Sequence, residues 1–559
     1  MRLKKGRTLF HREGEMDASK NMEIVKSFKS VEKVSDEMYQ QGLTQSRALL
    51  QGLARALYRK ERLSVLKLAL IAYDHDIVRL YDTLCYAGGM TVLVRCLQAT
   101  MTSVTLHPIE IRQMCQLIAL VCLRCSDDAA IHCLSSIGTE LVLLLFSILL
   151  KTEVGREACS PIRLVIRRIA RLELSLPAIE HSERLLKFLE RMALLGAGNK
   201  DASAEALTLL AGLTVHSESK LYVMESRTFL DSIIKCSQQE TTEVMDQIAK
   251  VIENLALHGN NKSKLTKQLI LERLLAMASP SESIETRIHS IQALKQISIE
   301  ARGKLFIVAF EGGAALKALL SAADERELQP CVVETLLSLT CKYTASSLVH
   351  HSGLIITITN LVRSENVMVA EKAAQVIKRL STHTCIQKRG HAALFDAILA
   401  TSTSKSRSVR HWIAKAMLEQ SRLSGSSFLL VRSPDALEKV CQLARDQQHD
   451  VRAPAMETLL SLSACQSNLK RLSTSSIVFD TLVESVSVGL RDGKVWNSEV
   501  RDAILCILNF VDGPRNPRKR AAKHTGVVKV LSKYGISSDE DNELKRAALH
   551  GVIILSALM

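Results

Sequence analysis

Ala293-Leu294-Lys295-Gln296-Ile297, a short helical stretch over 302–310, the pair Gly312-Gly313, Ala315-Leu316-Lys317-Ala318-Leu319-Leu320, then Val333-Glu334-Thr335-Leu336-Leu337-Ser338-Leu339: this passage decides the fold. Its apolar residues recur three and four apart, which places them on one face of a helix. The glycines supply a backbone turn that lets a short first helix cross the second steeply. The pattern that opens the passage returns at its end, 42 residues on.

The same order occurs elsewhere, as Ala87-Gly88-Gly89-Met90-Thr91-Val92-Leu93-Val94-Arg95-Cys96-Leu97. Taking the last apolar residue of each long helix as an anchor gives Tyr73, Leu123, Ile169, Leu213, Leu255, Ile297, Leu339, Leu380, Leu418, Leu462, Phe510 and Leu555. Successive gaps run from 38 to 50 residues and average about 44. That falls in the window of stacked helical repeats of the armadillo and HEAT kind.

The segments resemble the armadillo repeat, whose three helices follow this order with Gly at the tight corner between the first two. Asn260-Asn261-Lys262 resembles the family's inter-repeat turn. The resemblance implies an all-α fold, a right-handed α-solenoid of about twelve armadillo/HEAT-like repeats over residues 45–559. A basic N-terminal extension, partly disordered or helical, is expected over 1–44. No repeat buries its apolar face alone, so stacking creates the core. The last helix, ending Val552-Ile553-Ile554-Leu555, lacks the polar outer face of a terminal repeat. Self-association through it, or cover by another segment, is expected.

Composition agrees. The chain has 559 residues, 47% hydrophobic and 4% aromatic, with 9 Pro and 24 Gly. So few turn-formers argue against all-β architecture and long disordered linkers. The basic start runs into Glu13, Glu15 and Asp17, against a secretory signal and a transit peptide. Arg2 excludes N-myristoylation. The longest apolar run, 141–150, is about half the ~20 residues that span a bilayer. The 14 cysteines sit at irregular spacing within apolar patterns, as reduced core residues of an intracellular protein do. The expected location is cytoplasmic, with nuclear entry as a further option.

In armadillo arrays the third helices line the inner, concave face. In importin alpha and beta-catenin an Asn near the end of that helix grips the partner's backbone. In importin alpha a Trp one turn earlier packs on Lys side chains. Here the Asn position holds Asn254 and Asn509, and the Trp position holds no Trp. An importin-alpha-like cargo receptor is therefore not expected. The inner face is polar in the middle repeats, and Asn254, Gln292, Gln296, Glu334, Ser338, Gln375 and Arg379 are assigned to it. Arg163, Arg167, Arg168 and Arg171 share one helix. Arg168 and Arg171 read as an anion contact for an acidic partner, or as a face balanced by acids of a neighbouring repeat.

Candidate chemistry is sparse. Cys122-x-x-Cys125 with His132-Cys133 lacks the second pair and polar loops of a zinc site, so it reads as core packing. His350-His351 and Asp74-His75-Asp76 read as surface pairs. No phosphate loop, nucleophile elbow or metalloprotease helix appears. No cofactor, metal or catalytic site is expected.

The net charge of +15 concentrates in three segments, 1–34, 401–432 and 512–534, which carry +4, +5 and +6. The last holds Arg518, Lys519, Arg520 and Lys523 just after Pro514 and Pro517 and resembles a nuclear-import signal in a loop. The Ser/Thr-rich 401–408 reads as a polar loop open to phosphorylation. Without interleaved aromatics, the charge does not read as a nucleic-acid surface. The reading is a non-enzymatic scaffold that binds proteins, among them acidic or extended peptide segments, along the inner face. Its alternatives are a nuclear transport or chromatin-associated factor, and a substrate-selecting accessory subunit of a ubiquitin ligase.

Overall fold

The computed structural model describes residues 82, 85, 89–102, 108–150, 152–172, 183–194, 200–215, 220, 223–224, 229–236, 242–351, 353–382, 391–492, 497–537 and 541–559. The expected extension 1–44, the anchor Tyr73 and the Asp74-His75-Asp76 pair lie outside them. The chain divides into two compact units, Met1–His258 and Gly259–Met559. All described elements are helical.

In the first unit the helices are α1 (Gly89–Thr102), α2 (Pro108–Arg124), α3 (Asp127–Leu149), α4 (Thr152–Arg171), α5 (Glu183–Leu194), α6 (Lys200–Leu213), α7 (Phe229–Cys236) and α8 (Thr242–Leu257). The long helices α2, α4, α6 and α8 stack side by side in that order. The apolar run at 141–150 lies in α3, which bends by 85° between Ser135 and Ile137 and buries Leu141, Leu145 and Phe146 completely. No single described helix is long and apolar enough to cross a membrane.

The second unit shows the repeat in full. Its helices are α9 (Gly259–Leu265), α10 (Gln268–Met277), α11 (Ile284–Ile297), α12 (Ala301–Ala309), α13 (Ala314–Ala322), α14 (Gln329–Leu339), α15 (Ala345–His350), α16 (Leu354–Val362), α17 (Val367–Ser381), α18 (His391–Thr401) and α19 (Arg407–Ser421). There follow α20 (Ser424–Arg432), α21 (Pro434–Ala444), α22 (His449–Ser463), α23 (Gln466–Leu472), α24 (Ser476–Arg491), α25 (Ser498–Asp512), α26 (Arg515–Lys523), α27 (Thr525–Gly535) and α28 (Asn542–Ser556). They form three rows. Third helices stack as α11, α14, α17, α19, α22, α25 and α28; second helices pair as α16 with α18, and α21 with α24 with α27; first helices pair as α9 with α12 with α15, and α20 with α23 with α26. This is the armadillo-type α-solenoid that the resemblance implies.

Sequence explains the corners. The helix over 301–312 meets α13 at 96°, turning on Gly312 (φ 63°) and Gly313 (φ 99°), a left-handed conformation that costs Gly nothing. Two of the third helices start at side-chain caps of this kind: the Ser283 hydroxyl accepts from the Thr286 amide, and the Asn366 side chain from the Met368 and Val369 amides. The anchors Ile169, Leu213, Leu255, Ile297, Leu339, Leu380, Leu462, Phe510 and Leu555 are fully buried, and Leu418 nearly so. Each such side chain contributes about 1.5–3 kcal/mol.

Two expectations need correction. Leu123 is 45% exposed and Cys122 is buried in its place, so the anchor register slips by one on α2. Asn260-Asn261-Lys262 is not a turn: it lies in α9, with Asn261 fully buried.

Candidate functional site

The third-helix face of the second unit carries a band of half-buried polar side chains. Glu334 on α14 accepts from Lys295 on α11 at 2.5 Å and from Lys372 on α17, so one carboxylate ties three successive repeats. Burial alone would raise the Glu334 carboxyl, but the two ammonium groups outweigh it and hold the carboxyl below its usual range. Gln292 donates to the Cys331 sulfur at 3.5 Å, and Gln296 lies half-buried one turn further along α11. Ser298 and Ser338 bond through their hydroxyls at 2.8 Å. Gln375 donates to Glu371 at 3.3 Å; Arg379 is exposed and donates to the Leu337 carbonyl at 2.8 Å. The structure thus brings Gln292, Gln296, Glu334, Ser338, Gln375 and Arg379 together on one face.

That face also holds Trp412 on α19, one residue before the position where the family carries its Trp. Its indole N–H donates to Glu371 on α17 at 3.4 Å, and the Lys415 ammonium sits 4.9 Å from the ring centroid. Trp412 is half-buried, so it offers a flat apolar surface beside cations. The signal available in the sequence was a rare residue: the chain has 2 Trp.

Asn254 is not a surface residue. It is 9% exposed, and its amide donates to the Ala211 carbonyl at 2.8 Å and to Thr214. The amide that grips a partner in the resembling family here joins α8 to α6. Asn509 likewise donates to the Ser463 hydroxyl at 2.9 Å.

Three arginines of α4 are balanced within the first unit. Arg163 and Arg167 lie 3.2 Å and 3.8 Å from the fully buried Glu205 carboxylate of α6. Arg168 donates to the Cys122 carbonyl at 3.2 Å and to the Asp127 carboxylate. A buried carboxylate needs a compensating charge, which occupies these cations. The side chain of Arg171 lies outside the described residues. A cavity of about 340 Å³ on this third-helix face is lined by Arg167, Ala170, Thr208, Gly212, Asp246, Gln247 and Lys250.

The basic segments read differently in three dimensions. Arg407 pairs with Asp450, Arg410 with Asp446 at 2.6 Å, and Arg422 with Glu457 at 2.6 Å, each one repeat further on. Thr401 and Ser402 are buried and bonded to carbonyls of α18, while 402–406 form the turn into α19, with Thr403 and Lys405 exposed. Arg518, Lys519, Arg520 and Lys523 are helical, on α26, not in a loop. Pro514 caps that helix and Pro517 sits in its first turn, where a proline breaks no hydrogen bond. Arg518 donates to the Gly513 carbonyl at 3.0 Å, while Lys519 and Lys523 are exposed.

Among the described residues no group of three His, Cys, Asp or Glu is arranged to hold a metal. His350 is exposed and bonds the Ser346 carbonyl; His351 is half-buried at the Gly313 corner.

Residues 308–488 match the protein family described as "Proteasome non-ATPase 26S subunit". No curated protein matches the chain. Among solved structures, an engineered protein superposes with a TM-score of 0.52 at 17% identity, covering 74% of this chain and 98% of its own. A structure from work on the phosphorylation switch controlling the interaction between cadherin and beta-catenin gives 0.47 at 15% identity, covering 79% and 89%. UNC-45 from Drosophila melanogaster gives 0.41 at 11% identity, covering 94% and 82%. The first of these agrees with the fold read from the helix rows.

Proposed function

We propose that the chain is a non-enzymatic scaffold that binds partner proteins along the third-helix face of its second unit. The observation that carries this reading is the stack of successive third helices bearing Glu334, Lys372, Gln375, Arg379, Trp412 and Lys415, linked by bonds from one helix to the next. An extended segment laid across such a row meets several repeats at once and collects many weak contacts. The intramolecular pairs keep the polar side chains in fixed rotamers, which lowers the entropy lost on binding.

A second reading rests on the match over 308–488. That region spans α13 to α23 and most of α24, which includes the same band, and it supports a partner belonging to a large multi-subunit assembly. The ubiquitin-ligase accessory reading is a form of it. The nuclear reading is weakened by the helical state of α26, because an extended-peptide receptor requires that helix to open.

The test is affinity capture with the full chain beside two variants. One carries Gln375→Ala, Arg379→Glu and Trp412→Ala; the other carries Lys317→Ala on the second helix α13 and Arg363→Ala at the end of α16. Partners lost with the first variant and retained with the second support the reading. Equal retention by both would refute it.

A further inference from the structure

Charge in the second unit divides by helix row. The first helices α9, α12, α15, α20, α23 and α26 contain no Asp or Glu. In the stack of α20, α23 and α26, α20 ends on Arg432, α23 carries Lys470 and Arg471, and α26 carries five cations within 9 residues. Among the described residues none of these eight cations pairs with a carboxylate, whereas Arg407, Arg410 and Arg422, in or beside the third helix α19, each hold one. Asp435, just after α20, binds Lys439 at 3.0 Å, and Asp480 binds His524, just after α26, at 2.9 Å.

The cations also converge across helices. The guanidinium carbons of Arg432 and Arg471 lie 5.9 Å and 5.4 Å from the centroid of the Phe428 ring on α20. Arg520 on α26 donates to the Lys470 carbonyl and the Ser473 hydroxyl, both at 3.4 Å, which ties α26 to α23. Phe428 and Leu429 are 43% and 38% exposed, while α23 and α26 expose no large apolar side chain.

We propose that this first-helix stack is a second docking surface, and that its partner is an extended acidic protein segment with one apolar residue ahead of its carboxylates. Uncompensated cations repel one another, so an anionic segment relieves that repulsion as well as making its own contacts. Arginine forks take carboxylates through paired hydrogen bonds. The apolar residue packs on Phe428 and Leu429 at the α20 end, and the carboxylates follow across α23 and α26. Packed helices lie about 10 Å apart, so roughly 20 Å separate α20 from α26, the reach of about six extended residues at ~3.3 Å each. A membrane would take apolar side chains along the whole stack, and a single-stranded nucleic acid a ladder of aromatics. A duplex backbone offers Phe428 and Leu429 no apolar partner. The surface lies on a different helix row from the third-helix band, and neither reading rests on the other.

The full chain is titrated by fluorescence anisotropy with a labelled peptide in which one leucine precedes a run of about six glutamates. The same peptide with serine for leucine, a labelled DNA duplex and phosphatidylserine vesicles run beside it. Arg471→Glu with Lys519→Glu and Lys523→Glu should weaken the leucine peptide by about tenfold or more. Lys317→Glu with Arg363→Glu and Arg491→Glu, an equal charge change at exposed sites outside the first helices, should change it by less than about twofold. Phe428→Ala should weaken the leucine peptide severalfold and leave the serine peptide unchanged. Circular dichroism checks that each variant is folded. If the triple reversal is not, Lys519→Gln with Lys523→Gln, both at exposed positions, should still weaken the leucine peptide severalfold. No binding of that peptide, equal weakening by both triple variants, or an equal effect of Phe428→Ala on both peptides would overturn the assignment. So would the duplex or the vesicles binding more tightly than the leucine peptide through the same three cations.

Discussion

The Arg452 guanidinium donates to the Glu499 carboxylate at 2.7 Å, joining the fourth residue of one third helix to the second residue of the next. The same guanidinium donates to the carbonyls of Asp446 and Gln447, which lead into its own helix. Arg410 repeats the arrangement with Asp446 and the carbonyls of Ser404 and Lys405. Arg287 meets Glu325 at 2.5 Å, and Arg501 lies 3.7 Å from Asp541, both from the fourth helical position. A cation in a helix's first turn opposes the dipole, so each arginine depends on its acid. These arginines pin α11, α19, α22 and α25 to the next repeat.

Removing one member should therefore cost more than a surface ion pair. Glu499 is 4% exposed, so Arg452→Ala leaves its carboxylate with only the His449 imidazole, 3.3 Å away, and should destabilise the second unit by about 2–4 kcal/mol. Urea unfolding of Arg452→Ala, Glu499→Ala and the double variant measures the coupling. The double variant should lose less than the two single losses combined. Simple additivity would refute the pairing.

Anchor residues should divide by burial. Leu380→Ala, at a fully buried site, should cost about 2–5 kcal/mol, whereas Leu123→Ala, 45% exposed, should cost under about 1 kcal/mol. Thermal unfolding monitored by circular dichroism reads both. Similar losses would contradict the register slip on α2.

The corner glycines should be equally selective. A Cβ at Gly313 would sit 2.8 Å from the His351 ring in a left-handed backbone, so Gly313→Ala should lower stability by about 1 kcal/mol or more. Gly425 lies in α20 with open space around its Cβ position, and Gly425→Ala should be neutral or stabilising by up to about 1 kcal/mol. The melting temperatures of the two variants check this pair.

Asp502 on α25 should make stability depend on pH. Burial first, and then the neighbouring Glu457, raise its carboxyl to about 6 from an ordinary 3.8. Between those values the folded chain holds a proton that the unfolded chain has released. Stability from this group therefore falls as pH rises from about 4 to 6 and stays low above it. Asp502→Asn should raise the melting temperature at pH 7.5 and leave it unchanged near pH 3.5. An equal shift at both values would contradict the sign.

Sequence periodicity located the repeats because buried anchors such as Ile297, Leu339 and Leu380 must recur with the stacking distance. Gly312-Gly313 marked a corner for the same local reason. The ion pairs were hidden because Arg452 and Glu499 lie a repeat apart, and nothing local distinguishes them from solvated charges. That is why 401–432 read as a basic segment although Arg407, Arg410 and Arg422 are spent on acids of the following repeat. Asn254 and Trp412 show the converse limit. A ladder position states which helix face a residue occupies, but packing decides whether its amide is buried, as in Asn254, or whether an indole one place off still reaches the band.

Hydrogen exchange of the full chain, with and without a captured partner, tests the central claim most directly. Amides on α14, α17 and α19 are expected to gain protection together, with the second helices α13 and α16 unchanged. Protection confined to the second-helix row, or to one repeat alone, would contradict binding along the third-helix face.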